Sequence, residues 1–146
     1  MIDVTADTSS LNVNQLGTYD VEVVAIDQGA NEARKKIKVT VVDNEKPKFE
    51  MLGTSRGYTI DVPVKGSADF SSYLKAVDNV DGDVTPFIEA SAVLNTEVPS
   101  LQDITLKVAD SSGNEVVETF TFAVSDLEAP IINLLHLLSH FVLAGR

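Results

Sequence analysis

The chain has no cysteine and no tryptophan, only two histidines, and 11 basic residues against 22 acidic ones. Each scarcity removes a class of function. Without cysteine there are neither disulfide staples nor thiolate metal sites, although an oxidising compartment stays open because a cysteine-free domain can work anywhere. A formal charge of −11 argues against nucleic acid as a partner, since phosphate binding needs a net basic surface. Six of the eleven basic residues do lie together (Arg34, Lys35, Lys36, Lys38, Lys46 and Lys48), and they read as the solvated face of a strand and its exit loop rather than an anion-binding patch. Catalytic patterns are scarce too. His136 and His140 stand four apart in the tail with no glutamate between them in a zinc-binding pattern, and no glycine loop is built to cradle phosphate. The sequence therefore predicts no catalytic residues, no required cofactor and no enzyme. Tyr19, Tyr58 and Tyr73 could line a sugar site, but without tryptophan they read as core packing. The apolar run from Ile131 to Leu143 is broken by Asn133, two histidines and a serine, and is too short and too polar to span a bilayer.

What is present is a repeat. Asp27-Gln-Gly-Ala-Asn31-Glu32 and Asp43-Asn-Glu-Lys-Pro47 recur as Asp110-Ser-Ser-Gly-Asn114-Glu115 and Asp126-Leu-Glu-Ala-Pro130, both at the one offset that carries Asp27 to Asp110. The same offset pairs Val21, Val23 and Ala25 with Ile104, Leu106 and Val108, and Ile37, Val39 and Val41 with Phe120, Phe122 and Val124. These triplets alternate with polar neighbours, the period of strands with one buried face. Because a one-residue slip would turn every side chain over, the repeat must keep strand register as well as composition. Arrays of small modules usually serve reach, spacing or binding.

Strands are expected at about Thr18 to Ile26, Glu32 to Val42, Lys48 to Leu52, Tyr58 to Val64, Asp103 to Ala109 and Glu115 to Val124, with weaker ones at Asp83 to Ala90 and Ala92 to Thr96. Asp3 to about Asn14 should hold a short strand and a loop, Gly53 to Gly57 a turn, and Ser67 to Leu74 an irregular stretch or a single helical turn. Asp3-Val4-Thr5 resembles Asp83-Val84-Thr85, so copy one is expected to start where copy two is already under way. Residues 1–43 then form the C-terminal part of a module, 44–47 a linker, 48–126 a complete module, and 127–146 a linker, the first strand of a next module and an atypical tail. Met1 to Thr5 has neither the basic start nor the apolar run of a secretory leader, and the chain reads as a segment of a longer array.

Many short strands with turn signals about every ten residues predict an all-β sandwich. Ala76-Val-Asp-Asn-Val-Asp-Gly-Asp-Val-Thr85, Val108-Ala-Asp-Ser-Ser-Gly-Asn114 and Val124-Ser-Asp-Leu-Glu-Ala-Pro130 together resemble the bacterial immunoglobulin-like repeats of cell-surface and secreted proteins. Those are related in style to hyalin-type repeats and to the immunoglobulin-like modules of pesticidal crystal proteins. The resemblance implies tandem immunoglobulin-like β-sandwich modules, the first one truncated, outside the cell or on its surface, serving as a spacer, stalk or adhesion module. Copy one departs from the pattern in its missing front half and in a glycine at position 29, one place earlier than Gly113 implies, which would change only the hairpin turn type.

Two acidic groupings offer candidate ligands. Asp78, Asp81 and Asp83 place three carboxylates close together in one short loop, a set that suits a hard cation such as calcium, although aligning Gly82 with the glycine of an EF-hand loop puts Val77 and Ile88 at its first and last ligand positions. Asx-turns and solubility are the plainer reading. Asp43 and Glu45 before Pro47 resemble the acidic, proline-ended junctions of calcium-stiffened extracellular modules. In Asp110 to Asn114 the residues suffice for a tight hairpin turn. The expected partners are neighbouring modules, a protein or glycan ligand, and a second copy paired through the open edge of residues 1–43 and the strand 131–135. The alternative is a calcium- or glycan-binding module attached to a secreted enzyme or toxin.

Overall fold

Alternating apolar residues put one face of each long strand inward, and two hairpins result. The computed structural model describes residues 1–132. The first sheet is antiparallel in the order β1-β2-β3, with β1 at Asp3–Asp7, β2 at Gly17–Ile26 and β3 at Glu32–Val41. Eight further strands follow, β4 (Lys48–Met51), β5 (Ser55–Arg56), β6 (Thr59–Pro63), β7 (Leu74–Asp78), β8 (Gly82–Asp83), β9 (Glu89–Ala90), β10 (Ser100–Ala109) and β11 (Glu115–Ser125). They form a sheet of order β5-β6-β11-β10-β9 and a smaller one of order β4-β7-β8. All pairings are antiparallel except that of β6 with β11. The chain is all-β, and none of its described helices is long and apolar enough to cross a membrane.

The repeat holds at the level of register. Every partner pair of β2 with β3 recurs at the same offset in β10 with β11: Gly17 opposite Val41 becomes Ser100 opposite Val124, and Val21 opposite Ile37 becomes Ile104 opposite Phe120. The turns match as well, with the Asp27 N–H donating to the Asn31 carbonyl at 3.0 Å and the Asp110 N–H to the Asn114 carbonyl at 3.1 Å. Left-handed backbone falls at the same place, Ala30 (φ 61°) and Gly113 (φ 88°). The displaced Gly29 therefore leaves the turn unchanged and puts alanine where glycine is preferred. The strand before the hairpin is also shared, but at another offset than the sequence suggested. Ala6 faces Val23 as Ala90 faces Leu106, so Asp3 to Thr5 correspond to Phe87 to Glu89 rather than to Asp83 to Thr85.

The two sheets of residues 48–126 close on a main core, beside a smaller cluster of Ala76, Val84 and Val108. Ile60, Val62, Ile104, Leu106, Phe120, Phe122 and Val124 from the larger sheet meet Leu74 and Leu94, with Phe49 and Met51 packed against them. Phe49 stands edge-on to Phe120 with ring centroids 5.3 Å apart, and Phe70 does the same to Phe122 at 5.4 Å. The first sheet carries the same pattern without an opposing layer among the described residues. Ile37 is 41% exposed while its counterpart Phe120 is 1% exposed.

Two expected strands fail for separate reasons. Asp83 to Ala90 is interrupted by a 3-10 turn at Thr85–Phe87 with Pro86 near its start, leaving only the ends in sheets. Ala92 to Thr96 does alternate, with Leu94 and Thr96 buried between exposed neighbours, yet it joins no ladder. The Asn95 N–H donates to Gln102 Oε1 at 2.9 Å, Thr96 Oγ1 donates to the Gly66 carbonyl at 3.0 Å and the Thr96 carbonyl accepts from the Lys65 N–H at 2.8 Å, so isolated bonds replace those of a ladder. The single helical turn expected between Ser67 and Leu74 is a 3-10 turn at Phe70–Ser72, capped by Asp69. Ile131 and Ile132 are exposed and in no strand, while the rest of the expected 131–135 strand and both histidines lie outside the described residues.

Candidate functional site

Strand ends deliver the acidic residues to one place. Asp78 is the last residue of β7, Asp110 follows the last residue of β10, and Asp43 lies just beyond β3, in the segment that leads into β4. Each offers a carboxylate oxygen, and the three oxygens lie within 4.8 Å of one another. Asp78 is 5% exposed, Asp110 is 8% exposed, and Asp43 is half-buried.

Local hydrogen bonds fix each carboxylate. Asp78 Oδ1 accepts from the Val80 N–H at 2.8 Å and from the Asp81 N–H at 2.9 Å, forming an Asx-turn. Asp110 Oδ1 accepts from the Asn114 N–H at 2.8 Å and Oδ2 from Asn114 Nδ2 at 2.7 Å. The same Nδ2 donates to the Asp43 carbonyl at 3.3 Å, and Asp43 Oδ1 accepts from the Glu45 N–H at 3.1 Å. Two oxygens remain, Asp43 Oδ2 and Asp78 Oδ2, both buried and without a hydrogen-bond partner. Burial, the largest influence on the Asp110 carboxyl, pushes it up, but hydrogen bonds from the Asn114 side chain and backbone and from the Ser112 and Gly113 N–H groups outweigh it and hold the group below its ordinary value. None of the ion pairs among the described residues involves these three carboxylates.

Of the five candidate residues read from the sequence, the structure brings Asp43 and Asp78 together and leaves three outside. Asp81 turns to the neighbouring loop, accepting from the Ser111 N–H at 2.6 Å and from Ser111 Oγ at 2.8 Å. It thereby ties the 78–83 loop to the 110–114 turn. Asp83 accepts from the Thr85 N–H at 3.0 Å, and hydrogen bonds from Thr85 hold its carboxyl below the usual range. Glu45 is exposed. Asp110 is the member that sequence reasoning missed, because it was accounted for as a turn residue. Its counterpart Asp27 makes the same turn bonds, with the Asn31 N–H at 2.9 Å and Asn31 Nδ2 at 2.9 Å, yet is exposed. Sequence identity at the turn thus does not decide burial; the segments that fold over Asp110 do.

Other candidate features are less organised. Tyr73 Oη donates to the Ser67 carbonyl at 2.7 Å, Tyr19 Oη donates to the Gln15 carbonyl at 2.9 Å, and Tyr58 leans on Phe120, so the three tyrosines form no common platform. Two of the six clustered basic residues are paired across their hairpin, Arg34 with Glu22 at 2.8 Å and Lys38 with Asp20 at 3.0 Å, and Arg34 also meets Glu32 on its own strand.

No protein-family profile matches the sequence. The chain is similar to an uncharacterized 81.3 kDa protein of Acholeplasma phage L2, with 25% identity over 127 residues, 84% of this chain and 17% of that protein. The chain thus spans about a sixth of the length of the relative it matches.

Proposed function

We propose that this chain is a non-enzymatic, extracellular immunoglobulin-like repeat segment that acts as a spacer, stalk or adhesion module of a larger bacterial surface or secreted protein. One observation carries the reading: the chain enters and leaves the double-sheet unit at opposite ends. The Asp110 to Asn114 turn touches Asp43 where the chain comes in, and β11 then runs for its full length away from that turn before the chain departs at Asp126. At ~3.3 Å per residue the two ends stand roughly 35 Å apart, so copies joined this way extend rather than cluster. The shared hairpin register supports head-to-tail repetition, and the small share of the phage protein that is matched fits a segment of something much longer. Both copies carry the turn motif before their last strand and leave through an acidic, proline-ended segment.

Small-angle scattering of the chain beside a version with residues 44–126 duplicated tests this. The maximum dimension should grow by roughly 35 Å for the added unit. An increase of less than about half that, with the two units folded back on each other, would contradict the spacer reading. A glycan array run on the same protein separates the alternative, because a specific glycan signal would make binding rather than spacing the primary role.

A further inference from the structure

We propose that Asp43, Asp78 and Asp110 hold one hard divalent cation of the calcium class, which fastens the incoming linker to the double-sheet unit. The carboxylates alone carry this, independently of the spacer reading. Three acids from three segments far apart in sequence converge to within 4.8 Å, and two of them are more than nine-tenths buried. Independently of that clustering, Asp78 Oδ2 and Asp43 Oδ2 are buried with no donor, although more than nine in ten buried polar groups ordinarily find one. No lysine or arginine among the described residues pairs with any of the three. A buried carboxylate oxygen without a donor or counter-charge is costly, and a dication supplies both charge and coordination at once.

The donor set selects the ion. All three ligands are carboxylate oxygens, which suit calcium, magnesium or manganese rather than softer metals. Two oxygens bound to one calcium at about 2.3–2.6 Å can stand as far as about 5 Å apart, so three oxygens within 4.8 Å of one another need close in by only a few tenths of an ångström to share one ion. Magnesium demands a tighter and more regular shell and gives up water reluctantly. Asp43 is the one proposed ligand from the segment between β3 and β4. Asp78 and Asp110 are fixed by their own turns and cross-tied by Asp81 and Ser111, so a rigid pair awaits the linker carboxylate. The cation would then join the 43–47 segment to strand ends β7 and β10.

Calorimetric titration of the full chain with calcium chloride, up to about 10 mM because extracellular modules bind calcium as weakly as millimolar, should show one site per chain. Asp43→Asn should weaken binding at least tenfold, and Asp78→Asn should abolish it. Glu45→Gln and Asp83→Asn, which change acids outside the cluster, should leave affinity within about twofold. Melting provides a readout that survives a poorly folded variant. Asp78→Asn keeps the Oδ1 acceptor for Val80 and Asp81 and removes one acid from the cluster. Without calcium it should therefore melt at or above the wild-type temperature, and with calcium it should not move. At a hundredfold excess over the dissociation constant the wild type should gain roughly 10–20 °C. No calcium heat and no melting shift in the wild type would overturn the proposal. So would binding that persists in Asp43→Asn and Asp78→Asn but is lost in Asp83→Asn. A scattering result against the spacer reading would leave these binding outcomes untouched.

Discussion

The left-handed residue in the two turns offers a test in which one exchange is run in both directions. Ala30 and Gly113 occupy equivalent places in the two copies, with φ of 61° and 88°. A non-glycine residue in that conformation costs about 1–2 kcal/mol. Against this, alanine gains roughly 0.4–1 kcal/mol over glycine by restricting the unfolded chain. Gly113→Ala should therefore destabilise by about 1 kcal/mol. Nothing lies within 4 Å of the added Cβ, so the loss is backbone strain and not a clash. Ala30→Gly reverses the exchange and should stabilise the first hairpin by about 0.5–1 kcal/mol. For a unit of this size about 1 kcal/mol corresponds to about 4–8 °C in Tm. Thermal melting of the full chain, with amide exchange at the Asp27 and Asp110 N–H groups, reads each hairpin separately. The same sign for both substitutions, or no loss in Gly113→Ala, would refute the claim that the two turns share one conformation.

Burial and capping supply two more tests. Phe122→Ala should cost about 3–5 kcal/mol by opening the core, whereas Val39→Ala at the equivalent place should cost under about 1 kcal/mol; urea denaturation of the two variants separates them. Asp69 caps the 3-10 turn, and hydrogen bonds from Ser71, first its backbone N–H and then its side chain, hold the Asp69 carboxyl below its ordinary value. With a depressed folded value, its contribution is complete above about pH 4 and is lost as pH falls through that folded value. Asp69→Asn should accordingly flatten the fall in Tm between about pH 5 and 2, and an unchanged acid limb would count against the cap.

The long hairpins were legible because their information is local. Val21, Val23 and Ala25 alternate with polar residues, the turn residues fix the register, and the constant offset between the copies carried that register to Ile104, Leu106 and Val108 without error. What failed depended on distant partners. Ala92 to Thr96 has the alternation of a strand, but Gln102 and Gly66 hold it by other bonds. The parallel pairing of β6 with β11 leaves no trace in period or turn chemistry. The acidic cluster was half legible. Asp43 and Asp78 stood out as acids in suggestive settings, but the contact that brings Asn114 against Asp43 spans 71 residues, and no spacing rule reaches across it. Asp81 and Asp83 are nearer to Asp78 in sequence, yet the loop points them at Ser111 and Thr85. Asp110 was hidden by a sufficient explanation: it makes the turn that Asp27 also makes, and only burial distinguishes the two.

The convergence of Asp43, Asp78 and Asp110 is tested most directly by a crystal structure of the full chain grown with calcium. One ion is expected, with a carboxylate oxygen from each of the three at about 2.3–2.6 Å and the 43–47 segment held against the ends of β7 and β10. An ion seated instead on Asp81 and Asp83, or these three carboxylates spread apart with no ion between them, would contradict it.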